Sequence, residues 1–177
     1  MEGIETRSEE TEVQIRSDYK VSEEKADDFA TALERAFKIQ EGASQSVSSM
    51  RRKLKSRGFT QEVIEKVIEE LKALGYLNDY SLGKSRARRR LERGYGIGII
   101  RGELNSKGIE KETSQGITGE ITEDEQIQSA LKAFSSYIRK NGEHPMHFKT
   151  RRRAGLVRRG FGFEIIKKAE EFLKDEE

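Results

Sequence analysis

The sequence predicts an all-α protein: three tandem three-helix repeats, helix-turn-helix-like, forming an elongated curved array. Three observations predict it. First, one phrase is written three times: LKSRGFTQEVIEKVIEEL begins at Leu54, and its outline returns as LNSKGIEKETSQGITGEI from Leu104 and LVRRGFGFEIIKKAEEFL from Leu156. Second, apolar residues recur at helical spacing. Third, only 33% of the chain is hydrophobic and 37% is charged, which suits thin helical layers better than one thick core.

The copies align on Gly58, Gly108 and Gly160, spaced by 50 and 52 residues. Leu54, Leu104 and Leu156 stand four before the glycine, and Arg57, Lys107 and Arg159 immediately before it. Phe59, Ile109 and Phe161 follow directly, Val67, Ile117 and Ala169 come nine on, and Leu71, Ile121 and Leu173 thirteen on. Glycine just past a helix accepts a positive φ without a Cβ penalty. The base complements the helix dipole, and the next apolar residue folds back onto the leucine. Each phrase therefore reads as helix, tight turn, helix, with a further helix before it.

In chain order, residues 1–22 form an acidic tail, disordered or a small hairpin over TEVQIRSDYKVS. The first repeat spans 23–76. Ala26, Phe29, Ala30, Leu33 and Phe37 make the stripe of its first helix. Thr60 caps its last, where Val63, Ile64, Val67, Ile68, Leu71 and Leu74 form one face that Gly75 ends. The second repeat spans 77–121. Asn78 caps a helix whose apolar face is thin (Leu82, Ala87 and Leu91, with Tyr80). The run GYGIGIIRGEL reads as a linker that starts a helix near Ile97 and places Gly102 at a close helix contact. The third helix of this repeat is weak, because Gly116 and Gly119 lie inside it, each about 1 kcal/mol worse than alanine. The third repeat spans 122–177. Thr122 and Glu125 make a capping box, Ile127, Leu131, Phe134 and Ile138 form the stripe, and Asn141-Gly142 stops that helix.

Catalytic chemistry finds little material. There is no cysteine, and the only histidines, His144 and His147, flank Pro145 at a loop or helix start. A P-loop needs Gly-Lys followed by Ser or Thr, and the glycines at 94, 96 and 98 follow a basic helix rather than a strand. No catalytic, cofactor-binding or metal residue is assigned, and no cofactor is expected. The acidic N-terminus lacks an apolar leader and no apolar run reaches membrane length, so a cytoplasmic protein without a membrane partner is expected.

What remains is base. The net charge is only +2, but residues 1–45 carry 6 Lys/Arg against 12 Asp/Glu, and residues 46–110 carry 15 against 8. Arg86, Arg88, Arg89, Arg90 and Arg93 lie in one helix, with Arg86, Arg89, Arg90 and Arg93 on one broad face; Arg101 and Lys107 follow on the next. Arg151, Arg152, Arg153, Arg158 and Arg159 form a second cluster. Clustered arginines are costly unless something acidic or phosphorylated uses them. All twelve are candidate contact residues.

Two phrases carry a family resemblance. GYLNDYSLGKSRARRRLERGYGIGIIRGELNSKGI and the closing RRAGLVRRGFGFEIIKKA resemble the RecX family, regulators of the RecA recombinase. Gly75, Tyr76, Leu77, Asn78 and Asp79 match the phrase that ends a family repeat. Gly94, Gly96, Ile100, Arg101, Glu103, Leu104, Lys107, Gly108 and Ile109 match its middle phrase, with Ile97 where the family carries proline. The resemblance spans residues 26–174. It implies a non-enzymatic modulator that docks in the groove of the RecA–DNA filament and inhibits RecA's ATPase, strand exchange and coprotease functions, in DNA repair, recombination and the SOS response. The expected partner is the RecA nucleoprotein filament, with weak direct binding to single- or double-stranded DNA, and a monomer is expected. The alternative is a helix-turn-helix-like protein that binds DNA without RecA.

Overall fold

The structure, a computed structural model, describes residues 26–175; the expected acidic tail over 1–22 lies outside the described residues. Among the described residues all regular structure is helical. The helices are α1 (Phe29–Gly42), α2 (Val47–Lys55), α3 (Gln61–Ala73), α4 (Asp79–Glu92), α5 (Ile97–Ser106), α6 (Lys111–Gly119), α7 (Glu123–Ser135), α8 (Pro145–Arg158) and α9 (Phe163–Asp175). They fall into two compact units, one ending at Leu77 and one beginning at Asn78.

In the first unit, α1, α2 and α3 pack around Met50, Leu54, Ile64, Val67, Ile68 and Leu71, all essentially inaccessible. The inner edge of α1 differs from the stripe read in the sequence. Asp28 caps it by accepting the Ala30 N–H, so Ala26 lies before the helix, where its carbonyl accepts from the Thr60 N–H. Ala32 and Ala36 are buried, Leu33 and Phe37 flank them, and Phe29 and Ala30 are exposed. Leu74, expected on the α3 stripe, is exposed, because the helix has already reached its C-cap there.

The three repeat glycines take φ of +93° (Gly58), +78° (Gly108) and +85° (Gly160), the left-handed values the turn requires. The Ile109 and Phe161 N–H groups donate back to Leu104 and Leu156, and Phe59, Ile109 and Phe161 are buried beside their leucines.

The second unit holds α4 to α9, with one apolar cluster around Ile100, Leu104 and Ile117 and another around Phe134, Leu156 and Ile166. α6 forms despite its glycines. Ser114 and Thr118, both buried, bond to Asn105 and to carbonyls of their own helix, and Ile117 enters the core. On α4 the buried residues are Gly83 and Ala87, and a Cβ on Gly83 would lie 2.5 Å from Ile117 Cδ1. That is why a helix with so thin an apolar face packs at all.

The glycine run corrects one expectation. α5 starts at Ile97 as predicted, but Gly102 touches nothing: its Cβ would point into open space. The close contact belongs to Gly96 and Gly98. Their N–H groups donate to the carbonyls of Arg159 (2.8 Å) and Gly160 (3.0 Å), so the start of α5 seats directly on the α8–α9 turn. A Cβ on Gly96 would lie 2.5 Å from the Gly160 carbonyl carbon.

α7 carries the expected Thr122–Glu125 capping box but ends at Ser135, well before Asn141-Gly142. The chain is drawn off the helix axis by Arg151, which donates to the Ile138 carbonyl (3.0 Å) and to both Glu143 oxygens. Ile138 is left 81% exposed. His144 caps α8, and Pro145 occupies its first turn.

Candidate functional site

All twelve candidate basic residues lie in the second unit, and the structure divides them by their partners. The arginines read as one face of α4 differ in their partners. Arg86 and Arg90 turn toward α5, where both reach Glu103: Arg86 Nη1 is 3.3 Å from Oε1, and Arg90 Nε donates to Oε2. Burial pushes the Glu103 carboxyl up, but the Arg90 hydrogen bond and the two guanidinium charges outweigh it and hold the pKa below its ordinary value. Arg90 also lies over the Tyr95 ring at 5.0 Å. Arg89 and Arg93 are exposed and in no ion pair among the described residues. Arg88, its side chain 83% exposed, pairs with Glu92, one turn on.

The second cluster divides similarly. Arg151 grips Glu143, whose pKa falls to about 2 through that hydrogen bond, aided by the Lys140 N–H. Arg153 holds Glu170, a carboxylate only 6% exposed. Arg152 lies over Phe134 at 4.5 Å and Phe148 at 5.4 Å, and its Nε is buried without a hydrogen-bond partner. Arg159 sits between the rings of Tyr95 (5.6 Å) and Tyr137 (5.8 Å) and reaches the Gly94 carbonyl at 3.4 Å. Arg158 is exposed and unpaired among the described residues.

One of these positions recurs in every repeat. Arg51, Arg101 and Arg153 each stand seven residues before the repeat glycine. Each ties the second helix of its repeat to the third: Arg51 to Glu65 at 2.7 Å, Arg153 to Glu170, and Arg101 to the Thr118 hydroxyl at 3.1 Å. Only in the middle copy is the partner uncharged. Arg101 is thus fixed in place with its charge unneutralised, and it is exposed. Lys107 is exposed at the C-cap of α5, its N–H bonded to the last turn.

Arg152 and Arg159 also lack a carboxylate but lie against aromatic rings, so the exposed arginines without one, among the described residues, are Arg89, Arg93, Arg101 and Arg158. Arg93 and Arg158 stand at the C-terminal ends of α4 and α8, next to Gly94 and Arg159, through which those ends are bonded. The acidic partners Glu143 and Glu170 were not singled out in the sequence, and Glu103 was named only as part of the resembled phrase. The recurrence of arginine seven before each glycine was the available signal that these positions serve the fold.

Among the described residues, no group of His, Asp and Glu is arranged to hold a metal ion, and no helix is long and apolar enough to cross a membrane.

Residues 32–71 match a family model described as RecX, first three-helix domain. The chain is 31% identical over 145 residues to the regulatory protein RecX of Bacillus velezensis, an alignment covering 81% of this chain and 55% of that longer protein. It is 30% identical over 142 residues to the regulatory protein RecX of Prosthecochloris aestuarii, covering 79% of this chain and 91% of that one. In fold it is similar to the crystal structure of RecX from Lactobacillus salivarius, with TM-score 0.77 at 19% identity over 83% of this chain and 97% of that one. A second crystal structure of regulatory protein RecX gives TM-score 0.71 at 21% identity, over 97% of this chain and 82% of the other. With a relative at this identity covered almost throughout, the chain belongs to the RecX family.

Proposed function

We propose that this chain is a non-enzymatic, cytoplasmic regulator that binds the RecA–DNA filament and inhibits its ATPase, recombinase and coprotease activities. In that role it acts in the control of DNA repair, recombination and the SOS response. The observation that carries the reading is membership of a family whose relatives are named regulatory proteins, over most of the chain. The arrangement of charge supports it. Eight of the twelve candidate bases are Arg86, Arg88, Arg90, Arg151, Arg152, Arg153, Arg159 and Lys107, which pair with carboxylates, lie against aromatic rings or sit at a helix cap. Arg89, Arg93, Arg101 and Arg158 remain available to carboxylates of a protein partner or phosphates of the bound strand.

The test is RecA's ATPase on single-stranded DNA with the chain at substoichiometric ratio, repeated with excess DNA. Inhibition that persists in excess DNA is expected; inhibition abolished by added DNA would overturn the filament reading in favour of a general DNA binder. Replacing Arg89, Arg93 and Arg158 together by alanine should weaken inhibition about tenfold, since exposed ion pairs are worth roughly 0.2–1 kcal/mol each. Unchanged inhibition would mean that these arginines are only a solvated face.

A further inference from the structure

Where α5 meets the α8–α9 turn, three large apolar side chains are exposed: Ile99 (37%), Val157 (60%) and Phe163 (67%). Ile99 lies against Gly160, and Val157 and Phe163 stand three residues to either side of it in the chain. Ile99 Cγ1 lies 3.0 Å from where a Gly160 Cβ would stand, the Gly160 N–H donates to the Val157 carbonyl at 2.9 Å, and Phe163 opens α9 three residues later. A single exposed apolar residue means little, but a group around one backbone joint marks an interaction surface.

Two further features adjoin it. Gly102 lies on α5 one turn beyond Ile99, hence on the same face. It is exposed, no atom lies within 4 Å of its would-be Cβ, and nothing inside the fold requires a glycine there. It leaves bare backbone beside the apolar group, where another chain can approach closely. The edge is basic: Arg158 follows Val157 directly, and Arg93 precedes Gly94, whose carbonyl accepts from Arg159. Both arginines are exposed and without an ion pair among the described residues.

We propose that this junction is a docking face for a protein surface that is apolar at its centre and acidic at its edge. Ile99, Val157 and Phe163 fill the centre, and Arg93 and Arg158 meet the carboxylates. The proposal rests on the filament reading and deepens it: the face touches protein rather than the nucleic-acid strand. A strand offers phosphates to arginine, but Phe163 is the one ring among the three apolar side chains, and Ile99 and Val157 present none on which successive bases could stack. An apolar centre with a charged edge is the make-up of protein–protein contacts. The two glycine N–H bonds hold the face in shape before binding, so little ordering is left to oppose association.

Two variants of the full chain test it: the double substitution Val157→Ser with Phe163→Ser, and Gly102→Gln, which adds bulk to the bare backbone. All three positions are exposed, so helical content and melting temperature should stay within a few degrees of wild type. Each variant is measured against RecA filament on single-stranded DNA and against the same DNA alone. Expected are a loss of filament affinity of about tenfold for the double variant, a smaller loss for Gly102→Gln, and unchanged affinity for DNA alone. Wild-type binding that neither variant weakens would overturn the face while leaving the filament reading intact. DNA affinity falling in parallel with filament affinity would make the face a nucleic-acid contact and overturn the proposal. A wild-type chain that ignores the filament would overturn the filament reading, and this face with it.

Discussion

Replacing Gly96 by alanine should destabilise the second unit by about 3 kcal/mol, although alanine is otherwise the more favourable residue. The backbone conformation is not the obstacle: Gly96 has φ −88° and ψ 172°, which any residue adopts. The obstacle is space. Its Cβ would stand 2.5 Å from the Gly160 carbonyl carbon and 2.6 Å from the Phe161 nitrogen, and both are backbone atoms that no rotamer change can move away. The α8–α9 turn must retreat by roughly 1 Å to reach ordinary packing distance, which as overpacking costs about 1–3 kcal/mol. The bonds from Gly96 to Arg159 and from Gly98 to Gly160 stretch as it retreats, at about 1 kcal/mol each. For a unit of this size the melting temperature should fall by on the order of 15 °C. Gly102→Ala is the control of opposite sign. Its Cβ meets open space in a helix interior, so it should stabilise by about 0.5–1 kcal/mol. Thermal unfolding followed by circular dichroism reads both. A Gly96→Ala chain melting at or above wild type would refute the close approach of α5 to the α8–α9 turn.

Other predictions concern the ion pairs. Arg153→Ala should cost about 2–3 kcal/mol, below the full range for breaking a buried pair because the arginine is itself 41% exposed. Arg101→Ala, at the equivalent position, should cost less than about 1 kcal/mol, since the Thr118 hydroxyl keeps its bond to the Ser114 carbonyl. Equal costs in urea titrations would contradict the division into a neutralised and an unneutralised copy. The Glu143 pKa is lowered from 4.5 to about 2, so its contribution to stability is complete above about pH 4.5 and is lost as pH falls toward 2. Its carboxyl resonance should titrate near 2 in the folded chain and move up toward 4.5 in Arg151→Ala; a wild-type midpoint near 4.5 would show that the pair does not form.

The repeat was legible because its signals are local. A leucine, a turn glycine and a following apolar residue are tied by the geometry of one helix end, and that geometry holds wherever the phrase occurs. The misreadings came where a distant residue decides. Nothing near Gly102 distinguishes it from Gly96; the difference is that Gly160 lies against one and not the other. Ile138 continues the α7 spacing, yet Arg151, 13 residues away, takes its carbonyl. The α4 arginines share one broad face by helical spacing, but spacing says nothing of Glu103 across from two of them. The arginine seven before each glycine was visible in the same alignment that revealed the turns. Its meaning required seeing that the partner is an acid in two copies and a hydroxyl in the third.

The seating of Gly96 and Gly98 on Arg159 and Gly160 also governs the order in which the chain completes itself. In most repeat arrays a unit needs only its immediate neighbours in sequence, and folding propagates stepwise. The first unit has its whole core once residue 77 has left the ribosome. The middle helices must wait for a turn more than 60 residues downstream before the N–H groups at the start of α5 find their acceptors. Until then those groups and the glycine backbone around them lie open. The second half of the chain should consequently fold as one late cooperative event during synthesis rather than as two successive ones, and a chain truncated before Gly160 should leave α5 without its seat.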